Sequence, residues 1–207
     1  MSSSHRIAEI ARETRETRIR LRLDLDGDGD AQVETGVGML DHLLEQIARH
    51  GRFDLQIEAH GDVHRDAHHT VEDVGICLGQ ALDRALGDRA GIVRMAHAIV
   101  PLDEALALVA LDISGRGYAV VDLPFRGEQI GELPTEMIPH FLQSLAFEAR
   151  ISLHVRLMAG DNDHHRAECV FKALARTLSA ATRLDPRIAG VVPSSKGSLE
   201  RGVRTAD

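Results

Sequence analysis

The sequence predicts an α+β fold built from a tandem repeat of two β-α-β-α type units, with their sheets packed on paired helices. Three observations predict it. The stretch "DAHHTVED" at 66–73 returns as "NDHHRAEC" at 162–169, each with two adjacent histidines and a glutamate three residues on. Strand-like "ETRIRLRLDLDG" (16–27) and "EALALVALDISG" (104–115) keep Glu16/Glu104, Asp24/Asp112 and Gly27/Gly115 in step. Helix-like "GMLDHLLEQIARHG" (38–51) and "EMIPHFLQSLAFEA" (136–149) align on His42 and His140. A repeat of this length decides the architecture before any local propensity does.

Each element then follows in order. The segments at 16–27 and 104–115 alternate or run apolar as strands do. The helices at 38–51 and 136–149 are each followed by a second strand, "FDLQIEAHG" (53–61) and "ISLHVRLMAG" (151–160). The repeated His-His motif opens a second helix in each half, with an apolar stripe at Val74, Leu78 and Leu82 and again at Val170, Leu174 and Leu178. The first half is assigned to 1–90, the second to 91–185. The tail, 186–207, has no counterpart; it carries "PSSKGS" (193–198) and is expected to order fully only with ligand.

Composition narrows the function. The 207 residues, 43% hydrophobic, are enough to bury a core without staples. With no Trp, one Tyr and five Phe that core is aliphatic, and no base-stacking platform is available. A net charge of −8, from 24 basic and 32 acidic residues, argues against nucleic acid as a partner. Cys77 and Cys169 form no redox or metal spacing and read as core residues of a protein in a reducing cytoplasm. No apolar run approaches membrane-spanning length, so no membrane partner is expected.

Against this plain background stand 12 histidines. Successive helical residues turn by about 100°, so His68, His69 and Glu72 are expected to share one broad face, and His164, His165 and Glu168 to repeat it. With His42 and His140 the set reaches six histidines and two carboxylates, enough for two metal ions with three His and one Glu each. The recurrence of all three polar positions among differing neighbours separates this from surface decoration. His5, His60, His64, His97 and His154 do not recur and read as ordinary surface or core histidines. Imidazoles with carboxylates and no thiolate suit Mn, Fe, Co, Ni or Zn rather than Mg or Ca. "PSSKGS" offers hydroxyls, an ammonium and a turn glycine, which suits a phosphate, and Arg94, Arg116 and Lys172 are further cations near element ends.

Six motifs in order, "GMLDHLLEQIARHGRFDL", "DAHHTVEDVG", "VPLDEAL", "DISGRG", "DNDHHRAECVFKA" and "PSSKG", closely resemble imidazoleglycerol-phosphate dehydratases, over about Arg12 to Leu199. The resemblance implies two repeats like the second domain of ribosomal protein S5, in a twenty-four-subunit homo-oligomer with active sites between subunits, each holding two Mn2+. It implies dehydration of imidazoleglycerol phosphate to imidazole acetol phosphate in histidine biosynthesis, through a metal-bound imidazolate and a diazafulvene-like intermediate. The metal ligands it implies are His42, His68, His69, Glu72, His140, His164, His165 and Glu168. Glu16, Gln46 and His50 match substrate-contacting positions, Glu16 being the candidate acid/base; Arg94, Arg116, Lys172, Ser194 and Lys196 match the phosphate-holding set. Ala67, Met39 and Cys169 depart from common residues, and Ala67 removes a carboxylate expected to hydrogen-bond behind the ligands.

Two other classes compete. A dinuclear metallohydrolase would want Asp-rich bridging ligands, which this set lacks. A metal-storage shell would leave "PSSKG" and the cations without a role.

Overall fold

The structure, a computed structural model, describes residues 5–199. Each half contains the expected strand–helix–strand–helix series plus further strands that the sequence pattern did not separate, two in the first half and four in the second. In the first half β1 (Ile7–Glu13), β2 (Thr17–Asp24) and β3 (Ala31–Glu34) lead into α1 (Gly38–Gly51), β4 (Asp54–Gly61) and α2 (His68–Leu86). In the second, β5 (Met95–Leu102), β6 (Ala105–Asp112) and β7 (Tyr118–Asp122) precede a short hairpin, β8 (Gln129–Ile130) and β9 (Leu133–Pro134), then α3 (Met137–Glu148), β10 (Ser152–Ala159) and α4 (Asp163–Thr182). The hairpin explains a change of spacing along the repeat: Glu16 and Glu104 stand 88 positions apart, His42 and His140 98.

Both sheets have the same topology, β1-β2-β4-β3 and β5-β6-β10-β7, antiparallel except for the parallel pairs β3/β4 and β7/β10. Alternation sets their faces. Ile19, Leu21 and Leu23 of β2 turn inward and are buried, while Arg18, Arg20 and Arg22 face out. The four helices lie between the sheets, α2 against β1 and β2, α4 against β5 and β6, and they pair across the repeat as α1 with α4 and α2 with α3. Phe141 of α3 and Phe171 of α4, both fully buried with ring centroids 5.6 Å apart, link the two helix pairs at the centre. Cys77 and Cys169 are buried free thiols, and burial pushes each up to about 11.

Several local devices aim the helices that carry the histidines. Close approach of α2 to α3 depends on Gly79, where a Cβ would lie 2.7 Å from both Glu148 Cβ and the Leu145 carbonyl oxygen. Asp73, one residue past Glu72, is only 7% exposed and binds Arg12 of β1 at 2.8 Å, fixing α2 to its sheet. The first residue outside α1, Val37, offers no side-chain cap; Glu132 of the β8–β9 turn supplies one by accepting from Met39 N at 2.8 Å. In α3, Pro139 sits in the first turn, where its missing N–H costs nothing.

The tail is tied down as far as it is described. A 3-10 turn at Pro186–Ile188 leads to Val191, whose carbonyl accepts from Gly91 N at 2.8 Å, and the chain continues past Ser194 and Lys196 to Leu199. Residues 1–4 and 200–207, which belong to the first-half and tail assignments, lie outside the described residues. Among the described residues no helix is long and apolar enough to cross a membrane.

Candidate metal centre

The helix pairing across the repeat assembles two trios of potential ligands. His42 of α1 meets His164 and Glu168 of α4; His140 of α3 meets His68 and Glu72 of α2. Within each trio the ligand atoms lie within 4.8 Å of one another. His42 Nε2 is 3.4 Å and His164 Nε2 3.3 Å from Glu168 Oε2; His140 Nε2 is 3.5 Å from Glu72 Oε1 and His68 Nε2 3.9 Å from Glu72 Oε2. The rings lie side by side, His42 and His164 at 5.4 Å and His68 and His140 at 4.9 Å between centroids. Every trio therefore mixes the halves.

The donor set fits a transition-metal ion. His42 Nε2 and His140 Nε2 are buried and have no hydrogen-bond partner among the described residues, although each points at a carboxylate. A buried ring nitrogen left unpaired costs free energy that a metal ion between it and the carboxylate would recover. Burial by itself would raise the Glu168 carboxyl, but Lys172, whose Nζ lies 2.7 Å from Oε1, outweighs it and with His42 holds the group below the ordinary range.

His69 and His165 correct one expectation. They do not join their neighbours on a shared face; one residue of helical rotation turns both away from the trios. His69 Nδ1 lies 3.2 Å from Asp62 Oδ1, and His165 Nδ1 2.8 Å from Glu104 Oε2. An ionised carboxylate only accepts, so the proton sits on Nδ1 and the neutral ring keeps its Nε2 lone pair. These carboxylates raise both rings above the ordinary imidazole value. Glu104 is itself lowered to about 2, by the backbone N–H of Asn162 and by His165 and Asp161 N–H. Sequence reasoning paired Glu104 with Glu16 but gave it no place at a histidine; its matched position was the available signal. Asp62 offered none.

The remaining candidates fall into three groups. Glu16, in the β1–β2 turn and 54% exposed, lies 3.7 Å from His69 Nε2. Gln46 and His50 follow His42 at four-residue intervals along α1, facing α4; burial, then Lys172 and Arg176, lowers the His50 ring. Arg94, Arg116, Ser194 and Lys196 gather at the far end of β6. Arg94 is committed there, gripping both oxygens of Asp112 at 2.7 and 3.0 Å and donating to Pro193 O at 2.6 Å. Its backbone N–H bonds Ala181 O near the C-terminal end of α4, so this group stands roughly 20 Å along the helix from Glu168. Lys172 stands apart from this group, on Glu168; within one chain Arg94, Arg116, Ser194 and Lys196 do not meet the trios.

Fold and site define a duplicated α+β protein with twin His/His/Glu centres between its repeats. Residues 35–178 match the family model for imidazoleglycerol-phosphate dehydratase. The chain is 55% identical over 199 residues to the imidazoleglycerol-phosphate dehydratase of Roseiflexus sp., covering 96% of this chain and 100% of that one, and 56% identical over 194 residues to that of Chloroflexus aurantiacus, covering 94% and 95%. The crystal structure of the Staphylococcus aureus enzyme superposes with a TM-score of 0.78 at 34% identity, over 86% of this chain and 99% of that one. The Pyrococcus furiosus structure, in complex with (S)-C348, gives 0.78 at 33%, over 91% and 99%. The chain belongs to the imidazoleglycerol-phosphate dehydratase family, hydro-lyases of histidine biosynthesis.

Proposed function

We propose that this chain dehydrates imidazoleglycerol phosphate to imidazole acetol phosphate with two divalent transition-metal ions per active site, Mn2+ by family resemblance. The observation that carries the reading is the doubled trio, with buried unpaired nitrogens at His42 and His140 aimed at Glu168 and Glu72. The trios would hold the ions, whose Lewis acidity would make the substrate's imidazole N–H easier to lose, so that the ring can push hydroxide off the carbon attached to it.

The chain's own residues do the rest. Glu16, solvent-accessible and beside His69, takes the proton from the carbon next to the one losing hydroxide. The enol so formed becomes the ketone. Gln46 and His50 line α1 beyond His42 and orient the glycerol chain; the lowered His50 ring is neutral at pH 7 and can accept from a hydroxyl. Arg116, Lys172, Ser194 and Lys196 hold the phosphate, and Arg94 fixes the Pro193 backbone beside them.

The active site is assigned to the junction between copies of this chain, in a closed homo-oligomer of twenty-four. Two features support a second copy. Each trio lacks a third histidine, while His69 and His165 have Nδ1 oriented by a carboxylate, the usual preparation of a ligating histidine, and Nε2 3.7 Å from Glu16 and 3.8 Å from Asp103 without a hydrogen bond. The separation of roughly 20 Å between Glu168 and the tail group is bridged if a neighbour's tail closes over the trio. The outer face of the second sheet favours association, since Met95, Ile99, Tyr118 and Val120 are each at least 42% exposed there. Two buried free thiols accord with a cytoplasmic protein.

The test is elemental analysis of purified protein paired with a dehydration assay. Ketone formation should vanish on chelation and return with Mn2+; full turnover without metal would end the two-ion reading. Lys196→Ala and Arg116→Ala should each raise KM about ten- to hundredfold with metal content unchanged.

A further inference from the structure

The Ser194–Lys196 turn is a loop pinned at both ends by arginines from the α2–β5 connection. Arg94 holds the entry through Pro193 O at 2.6 Å. Arg89 holds the exit, donating from Nη1 to Leu199 O at 3.0 Å while Nη2 pairs with Asp83. Between the pins, Lys196 N donates to Ser194 Oγ at 3.2 Å and Gly197 N to Ser194 O at 3.0 Å, closing the turn on itself.

Arg89 is an unusual residue for its place. It is 2% exposed and adopts a left-handed backbone (φ 62°), a region non-glycine residues enter at a cost. Burying a guanidinium is expensive, and an apolar side chain of similar length would fill the space without that penalty. What the guanidinium adds is a directed bond to one backbone carbonyl of the tail. Leu199 is itself 7% exposed, and Gly115 packs against its carbonyl so closely that any Cβ there would collide with the oxygen. Gly115 immediately precedes Arg116. The carbonyl that Arg89 holds is therefore the one on which the Arg116 turn rests.

We infer that Arg89, oriented by Asp83, is a positioning residue that fixes the Ser194–Lys196 turn relative to Arg116, and so acts on phosphate binding without touching the substrate. This rests on the reading that those residues hold the phosphate. Losing the exit pin lets the turn and the Arg116 loop move apart, so bound phosphate must order both again; the cost falls on binding, away from the trios.

The experiment uses Arg89→Met, which keeps an apolar stem, and a chain ended after Ser198, which lacks the accepting carbonyl, measured against a chain ended after Leu199, which retains it. Steady-state kinetics with imidazoleglycerol phosphate should show KM up about tenfold for both, kcat within about twofold and metal content unchanged. Combining the two changes should raise KM no further than either alone, because both remove the bond between Arg89 and the Leu199 carbonyl. An unchanged KM in Arg89→Met, a parallel fall in kcat and metal content, or multiplied effects in the combination would overturn the inference. Should Arg89→Met fail to fold, the shortened chain decides alone: unchanged KM overturns it, raised KM upholds it. Lys196→Ala separates the two readings. If it leaves KM unchanged the phosphate assignment falls; if it raises KM while Arg89→Met does not, only the latch falls.

Discussion

Glu72 and Glu168 hold equivalent places one turn into α2 and α4, yet only Glu168 has an ammonium on its second oxygen, because Lys172 follows at i+4 where Ile76 follows Glu72. Both are expected to be indispensable. Glu72→Gln and Glu168→Gln keep the side-chain shape but remove the negative charge that offsets a dication, which neutral imidazoles cannot replace. Each variant should lose close to one metal per chain and nearly all dehydration, by elemental analysis and product assay, with the fold kept because neither carboxylate packs in the core. Two metals and full turnover in either variant would make that glutamate a bystander. Glu104 gives a pH prediction. Its carboxyl lies at about 2 in the folded protein against an ordinary value near 4.5, so its hold on the turn before α4 is complete above about pH 4.5 and is lost as pH falls toward 2. Glu104→Gln should flatten the loss of thermal stability across that window. An unaltered acid limb would show that the 161–162 turn is held by something else.

At the scale of elements, each trio is only as good as the spacing of the helix pair that carries it. α2 and α3 approach over Gly79, where a Cβ would meet the Glu148 Cβ and the Leu145 carbonyl. On an exposed helix Gly→Ala stabilises by roughly 1 kcal/mol. Here the sign should reverse: Gly79→Ala should destabilise by about 1–3 kcal/mol in chemical denaturation, because backbone cannot move aside cheaply. The wedge should also spread His140 from His68 and Glu72, weakening one metal equivalent and sparing the other. A more stable variant with both metals at wild-type affinity would mean that the helices are not in close contact. The β8–β9 hairpin has the complementary role on the other pair, its Glu132 capping the helix that carries His42.

At the scale of the whole molecule, one chain holds two His/His/Glu trios and, roughly 20 Å from Glu168 along α4, the group of Arg116, Ser194 and Lys196. Shared sites make a prediction that no single-chain site can satisfy. Glu168→Gln protein, nearly inactive, and Lys196→Ala protein, weak at substrate well below its raised KM, should at that substrate concentration recover a substantial part of the activity when their subunits are mixed and reassembled, since some junctions then receive an intact trio from one copy and an intact tail from another. Light scattering should give a particle far above the 22.6 kDa chain mass. Activity that never returns on mixing, or an active monomer, would return the whole site to one chain.

The sequence by itself determined the repeat, the helices and strands that bear the motifs, and the candidate ligands, because these follow from spacing along the chain. α1 was legible from its period over Gly38–Gly51, and β4 and β10 from their alternation. It did not yield β1, whose pattern sits in the N-terminal segment, or β3, whose four residues are too short to show a period. Nor could it pair the ligands. His68 and His69 are adjacent in sequence and equal in chemistry; only the packing of α3 against α2 selected His68 for the trio and left His69 to Asp62. Likewise Arg94 reads as one more cation until Asp112 and the Pro193 carbonyl are seen to hold it. Period and residue type are local properties of the chain, whereas partnership is fixed by which faces the buried apolar stripes press together, and that is decided only when the two halves fold onto one another.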